Sequence, residues 1–203
     1  MNLPNLLTVL RILLSPVFLC LFVSQDKTLR LLSFIVFTIA AFTDWYDGVL
    51  ARKYGFVTRW GQFLDPLADK VLTSFAFFAF FKIGFIELWM FIIIVVRDIG
   101  ITLLRSYAEF KNKPVVTAFS AKVKTFVQMT VIFYMLLVYV LKDYDWFNNF
   151  FAKAGGIDLL NPVLVYILML VVTVLTAYTG LAYLIDNRKI IREIHVSSNQ
   201  TSQ

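Results

Sequence analysis

The sequence has almost none of the side chains on which disulfide frameworks, zinc sites and histidine-based catalysis depend. Its 203 residues include one cysteine, Cys20, and one histidine, His195. A single cysteine cannot form an internal disulfide, and a cysteine in an apolar stretch is usually inert packing. We expect His195, in a polar tail, to be solvated. Nucleophilic catalysis by a Ser-His or Cys-His pair therefore lacks its parts.

Charge is also scarce. Charged residues make up 16% of the chain, whereas 60% of residues are hydrophobic and 21 are Phe. Soluble domains are about 45–50% apolar, so the composition indicates a polytopic membrane protein. The net charge of +6 indicates cytoplasmic loops and anionic lipid as partners. No Lys/Arg cluster is interleaved with aromatic residues in a soluble segment, so we expect no nucleic-acid partner.

Long apolar runs dominate what is present. About 20 mostly apolar residues are needed for a helix to cross a bilayer. Six stretches qualify, at roughly residues 6–24, 29–53, 61–82, 87–111, 119–142 and 161–187. The segment 143–160 is too polar to span, and its aromatic residues suggest a place in the membrane interface. We predict an all-α polytopic membrane protein with six transmembrane helices, in one integral domain at 1–190 with a polar tail at 191–203.

Four carboxylates interrupt the second and third predicted helices, at Asp44, Asp47, Asp65 and Asp69. The first two are three residues apart and the last two are four apart, so each pair shares a helix face. A charge near a bilayer centre costs at least about 2.5–3.5 kcal/mol on insertion scales, so these groups need a stabilising partner. Oxygen-only ligand sets suit Mg²⁺, Mn²⁺ or Ca²⁺, and four ionised aspartates balance two such ions.

Structural interpretations of the single aspartates remain open. Asp65 precedes Pro66 and could cap the third helix, with the proline in its first turn. Asp69 and Lys70 are adjacent, so we expect their side chains not to face each other, and either could pair with a residue of another helix. For all four aspartates at this spacing, however, a metal site is the better explanation.

The same region carries a family resemblance. The chain fits the signature of the CDP-alcohol phosphatidyltransferases at eight positions, Asp44-x2-Asp47-Gly48-x2-Ala51-Arg52-x8-Gly61-x3-Asp65-x3-Asp69. The resemblance implies a six-helix membrane fold and two ions, Mg²⁺ or Mn²⁺, that hold the pyrophosphate of a CDP-linked lipid.

The resemblance also implies a role for each signature residue. Asp44, Asp47 and Asp65 would be the main metal ligands, and Asp69 would be a ligand or the base that deprotonates the acceptor hydroxyl. The remaining signature residues would bind the CDP-lipid: Gly48, Ala51 and Gly61 by leaving room for the cytidine diphosphate, and Arg52 by holding a phosphate.

Residues 2–17 are similar to the opening of bacterial phosphatidylglycerophosphate synthases. In such proteins Asn5, Thr8 and Arg11 would lie near the nucleotide pocket, and their spacing keeps them on one broad helix face. The alternative is that Asn5 caps the first helix and Arg11 extends its charge outward to the membrane surface.

A basic group follows in the fourth and fifth predicted helices. Arg105, Lys122 and Lys124 could form a pocket for the phosphate of an anionic acceptor, with Arg97 and Asp98 near them. Residues 120–125 again resemble the glycerophosphate synthases, although Ala121 stands where those proteins commonly have Gly. The alternative is that these cations anchor the chain to lipid headgroups.

Together these features predict an enzyme that transfers the phosphatidyl group of CDP-diacylglycerol to sn-glycerol 3-phosphate and releases CMP. Twelve Lys and Arg residues fall on the side of both termini and five on the other. This bias predicts a multi-pass protein of the cell (inner) membrane, with a cytoplasmic active site in contact with membrane lipid. The resemblance implies a homodimer.

Two alternatives remain. One is the same chemistry with another acceptor, such as phosphatidylglycerol in cardiolipin synthesis, serine or an inositol phosphate. The other is a divalent-cation transporter, since aspartate clusters within membranes also mark ion paths. No acidic path continues from these aspartates to the other side of the predicted membrane.

Overall fold

The computed structural model describes the backbone at residues 3–54, 59–110, 119–153, 156 and 158–188. It describes the side chains at 7–43, 66–110, 119–153, 156 and 158–188. The helices in these ranges are α1 (Leu3–Phe22), α2 (Lys27–Tyr54), α3 (Arg59–Lys82), α4 (Leu88–Phe110), α5 (Phe119–Leu141), α6 (Asp145–Lys153) and α7 (Pro162–Asp186). No strand occurs among the described residues, which confirms the all-α prediction.

The six predicted long helices correspond to α1 to α5 and α7, with ends that differ by a few residues. The polar segment 143–160 contains a further short helix, α6. Of the described helices, α5 and α7 are long and apolar enough to cross a membrane by length and composition. The count of six spans stays a prediction.

Local sequence signals fix several helix ends. Asn161 caps α7 by accepting a hydrogen bond from the backbone N–H of Val163 at 2.9 Å, with Pro162 in the first turn. Asp26 accepts from the N–H of Thr28 at 2.7 Å, one residue before α2 begins. That backbone hydrogen bond, which favours the ionised form, lowers the pKa of the Asp26 carboxyl. Both caps satisfy N–H groups that a helix start leaves without partners.

The start of α3 differs from one of the interpretations above. The helix begins at Arg59, and Pro66 lies inside it. The interpretation of Asp65 as the helix cap is therefore wrong. Proline removes one backbone hydrogen bond from a helix interior, and α3 continues through that loss.

The six long helices close into a ring. Each packs against its neighbours in the order α1, α2, α5, α7, α4, α3 and back to α1. The centre is rich in phenylalanine, with fully buried side chains at Phe18, Phe22, Phe37, Phe77 and Phe80. Phe22 joins three helices, because its ring centroid lies 6.0 Å from that of Phe80 and 5.0 Å from that of Tyr139.

Ion pairs close the end of the ring that carries α6. Arg30 at the start of α2 pairs with Asp143 at 3.0 Å, and Lys142 pairs with Asp158 at 2.8 Å. Gly84, in the turn between α3 and α4, has a φ of 79°, a conformation that glycine adopts without strain. In α6, Phe147 is buried whereas Trp146 and Phe150 are exposed, so one face of this helix packs inward.

We predict that Phe22→Ala lowers the free energy of unfolding by about 3–5 kcal/mol, because it removes a ring from a site shared by α1, α3 and α5. Unfolding of the purified protein in detergent measures the loss. Leu13→Ala on the same helix is the control, since Leu13 is 61% exposed and its truncation should cost about 0.5 kcal/mol or less. Equal losses in the two variants would contradict a core centred on Phe22.

Candidate active-site cavity

A cavity of about 880 Å³ opens where α3 and α5 begin and where α4 and α7 end. All four helices contribute to its walls. The polar lining residues are Asp69, Lys70, Arg97, Thr102, Arg105, Ser106, Glu109, Lys122, Thr125 and Tyr183. The cavity is large enough for a small polar ligand, and its walls carry charges of both signs.

On the α3 wall, Asp69 is paired with its neighbour in sequence. Lys70 Nζ lies 3.0 Å from Asp69 Oδ2, so the expectation that these side chains do not face each other is wrong. The four-carbon stem of lysine is flexible enough to bring the ammonium back to the preceding carboxylate. Both groups line the cavity, which places the candidate base on its wall with a cation beside it.

Behind the cavity, three donors surround the buried carboxylate of Asp98, which is 2% exposed. Lys124 Nζ donates to Oδ1, as does Arg97 Nη1 at 3.0 Å, while Gln128 Nε2 donates to Oδ2 at 3.1 Å. A buried charge is tolerated when it is paired and hydrogen-bonded in this way. We call these four residues the Asp98 cluster; it joins α4 to α5.

Arg97 extends the Asp98 cluster to α7. Its Nη2 donates to Thr179 Oγ1 at 2.9 Å. The next residue, Gly180, lets the arginine stem pass, because a Cβ there would lie 2.8 Å from Arg97 Cγ. Any other side chain at this position would therefore displace the arginine that joins α4 to α7.

The rim of the cavity carries the basic residues predicted to hold the acceptor phosphate. Arg105 is about half exposed and its Nε donates to Glu109 Oε1 at 2.9 Å, one helical turn on. Lys122, at the start of α5, is exposed.

The structure thus brings Asp69, Arg105 and Lys122 to one cavity. It places Lys124 behind the wall, where its ammonium binds Asp98.

Thr8 and Arg11 on α1 are each 1% exposed and lie among neither the cavity residues nor its rim. Arg11 Nε donates to the backbone carbonyl of Ala40 at 3.4 Å, and Ser15 Oγ donates to the carbonyl of Arg11 at 2.8 Å. Arg11 is therefore buried between α1 and α2, and the interpretation that it extends outward to the membrane surface is wrong.

The remaining predicted residues have side chains outside the described part of the chain, namely Asn5, Asp44, Asp47, Gly48, Ala51, Arg52, Gly61 and Asp65. Their backbones belong to α1, α2 and α3. The four predicted metal ligands are all carboxylates, the oxygen donors that a hard divalent cation prefers. Asp69, the one whose side chain is described, lines the cavity, and the metal site stays a prediction. Among the described side chains, no three carboxylate, histidine or cysteine groups cluster.

Sequence reasoning missed several residues of this region. The Arg105–Glu109 pair was visible in principle, because residues four apart on a helix meet. The pairing of Asp98 with Lys124 was less visible, since it depends on how α4 packs beside α5. Tyr183 gave no signal, because a tyrosine near the end of an apolar helix is ordinary in a membrane protein.

The chain belongs to the CDP-alcohol phosphatidyltransferase family, whose model matches residues 1–178. The predicted resemblance is confirmed, and the family is membrane-associated.

Three relatives show where the chain lies in this family. It is 38% identical over 134 residues to a probable phosphatidylglycerophosphate synthase of Mycobacterium tuberculosis, covering 64% of each chain. It is 35% identical over 188 residues to a CDP-diacylglycerol–glycerol-3-phosphate 3-phosphatidyltransferase of Salmonella typhimurium, covering 90% of this chain and 93% of that one. A Bacillus subtilis protein of the same description is 36% identical over 148 residues, with 67% and 77% covered. The chain thus spans less than two thirds of the mycobacterial relative and nearly all of the Salmonella one.

We predict that Lys124→Met lowers the free energy of unfolding by about 3 kcal/mol, because it leaves the buried charge of Asp98 with fewer partners. The double variant Asp98→Asn/Lys124→Met should recover part of that loss, since neither buried charge then remains. Unfolding of Lys124→Met, Asp98→Asn and the double variant in detergent measures the coupling. Losses that simply add would contradict a direct interaction between the two groups.

Proposed function

We propose that this protein catalyses transfer of the phosphatidyl group from CDP-diacylglycerol to sn-glycerol 3-phosphate, with release of CMP. The observation that carries the proposal is the cavity, because it combines a carboxylate at Asp69 with cations at Arg105 and Lys122. A phosphorylated alcohol needs both a base for its hydroxyl and positive charge for its phosphate. The descriptions of the Salmonella and Bacillus relatives name the same donor and acceptor.

In the proposed reaction the acceptor lies in the cavity with its phosphate at the rim and its hydroxyl towards α3. Asp69 takes the proton as the hydroxyl oxygen forms a bond to the lipid-linked phosphorus. The bond from that phosphorus to the oxygen of CMP breaks, and CMP leaves with the electron pair. Phosphatidylglycerophosphate and CMP are the products, and no covalent enzyme intermediate is needed.

The donor lipid is assigned to the aspartate region of α2 and α3. Asp44, Asp47, Asp65 and Asp69 would hold Mg²⁺ or Mn²⁺, which neutralise charge on the pyrophosphate and the leaving phosphate when bound. Asn5, Thr8, Arg11, Gly48, Ala51, Arg52 and Gly61 would surround the CDP portion. In this proposal the six long helices span the cell membrane, the cavity faces the cytoplasm, and the protein is a homodimer.

We expect purified protein in detergent, given CDP-diacylglycerol and Mg²⁺ or Mn²⁺, to release CMP when sn-glycerol 3-phosphate is added. EDTA should abolish the release, and folded Asp69→Asn should lose nearly all turnover because its amide cannot accept the proton.

Release only with phosphatidylglycerol, serine or an inositol phosphate would replace the acceptor and keep the chemistry. Full activity of Asp69→Asn would contradict the proposed role of Asp69 as the base. Flux of Mn²⁺ into proteoliposomes without substrate would favour a divalent-cation transporter.

Arg105→Gln and Lys122→Gln should each raise the KM for sn-glycerol 3-phosphate about tenfold or more, because each removes one charge-assisted hydrogen bond to phosphate. Initial rates at varied acceptor concentration measure the change. Lys153→Gln is the matched control, since Lys153 is exposed at the end of α6, away from the cavity. An unchanged KM in both rim variants would count against a phosphorylated acceptor.

A further inference from the structure

Tyr183 is an aromatic residue of the cavity wall that the proposed reaction does not yet use. It lies in the last turns of α7, is 7% exposed and lines the cavity. Its hydroxyl oxygen is buried and has no hydrogen-bond partner among the described residues. Buried tyrosine hydroxyls ordinarily have a partner, because leaving a buried donor unpaired is costly. Because the residue lines the cavity, a ligand bound there is the candidate for the missing partner.

The charges around Tyr183 indicate the nature of that partner. Arg105 and Glu109 are charged residues that line the same cavity as Tyr183. Glu109 accepts from Nε of Arg105, and the two terminal amino groups of the guanidinium make no further hydrogen bond within the described residues. These two groups of Arg105 therefore remain available to donate a bidentate pair of hydrogen bonds, as a guanidinium does to phosphate. Lys122 adds a second cation to the same cavity.

A phenol that lines the same cavity as this guanidinium is suited to bind an anionic oxygen. Its O–H can donate to an oxygen that accepts from Arg105. The cations of the cavity offer it no lone pair, and the Glu109 carboxylate, which accepts from Arg105, makes no hydrogen bond with it. Hydrogen bonds from neutral donors to charged oxygens are stronger than those between neutral groups. The partner that satisfies Tyr183 best is therefore an anionic oxygen at the cavity end of α7.

We propose that the Tyr183 hydroxyl donates a hydrogen bond to a phosphate oxygen of the acceptor, and that Tyr183 is an acceptor-binding residue that helps to select phosphorylated alcohols. This inference rests on the proposed function, since it places the acceptor in the same cavity. The rigid aromatic ring holds its hydroxyl in place, whereas Arg105 and Lys122 reach the ligand on flexible stems at the exposed rim. Tyr183 thereby fixes how deep the phosphate lies.

Tyr183→Phe tests the proposal because it removes the hydroxyl and keeps the ring. We expect the KM for sn-glycerol 3-phosphate to rise about tenfold, with the KM for CDP-diacylglycerol unchanged and kcat within about twofold. The unliganded protein should be as stable as the wild type, because the lost hydroxyl had no partner. Tyr178→Phe is the control, since Tyr178 lies on the same helix and is 64% exposed.

A second measurement does not depend on turnover. Inorganic phosphate should raise the thermal unfolding temperature of the wild type and of Tyr178→Phe, and should protect Tyr183→Phe only at about tenfold higher concentration. Equal protection of all three proteins would overturn the proposal, as would absence of protection in the wild type. It would also be overturned if the variant lost stability without phosphate, because the hydroxyl would then have a structural partner.

The two measurements separate this inference from the proposed function. If the wild type turns over sn-glycerol 3-phosphate and Tyr183→Phe matches it, the inference fails and the proposed function stands. If no acceptor supports CMP release but phosphate protects the wild type better than Tyr183→Phe, the phosphate contact stands and the proposed reaction fails.

Discussion

The cavity depends on one buried negative charge. The Asp98 carboxylate lies inside the bundle, where an unpaired charge would be prohibitively costly, and its three donors come from α4 and α5. Through Arg97 and Thr179 the same cluster reaches α7. The Asp98 cluster and Thr179 thus join α4, α5 and α7, three of the four helices around the cavity. Because the buried charge needs these hydrogen-bond donors, the three helices must lie close enough to supply them.

The ion pairs of this region also determine which cations are available to contact a ligand. Lys124 and Arg97 are occupied with Asp98, and Lys70 is occupied with Asp69. Arg105 and Lys122 stand nearer to solvent at the rim. The basic residues of one sequence cluster therefore divide into a group that holds helices together through ion pairs and a group exposed at the rim of the cavity. Their positions in the chain alone do not reveal this division.

The helices were predictable because the length of each apolar run can be read directly from the sequence. Each long apolar run became a helix, and even the starts of α5 and α7 agree to within a residue. The nine-residue α6 escaped prediction because polar residues separate the aromatic residues that face inward, Phe147 and the partly buried Phe151. The partners of Lys70, Lys124 and Tyr183 depend on rotamers and on how helices pack, which periodicity does not encode. The family was predictable from the aspartate spacing, whereas the environment of each cation was not.

The phenylalanine centre of the ring has a consequence for water. The cavity is polar and open at one end, and the ring beyond it is filled by fully buried aromatic side chains such as Phe77 and Phe80. This packing leaves no water-filled path through the described core of the bundle. A polar ligand of the cavity can therefore enter the described part of the bundle only part of the way, from the open end. Whatever binds in the cavity must enter and leave by that one opening.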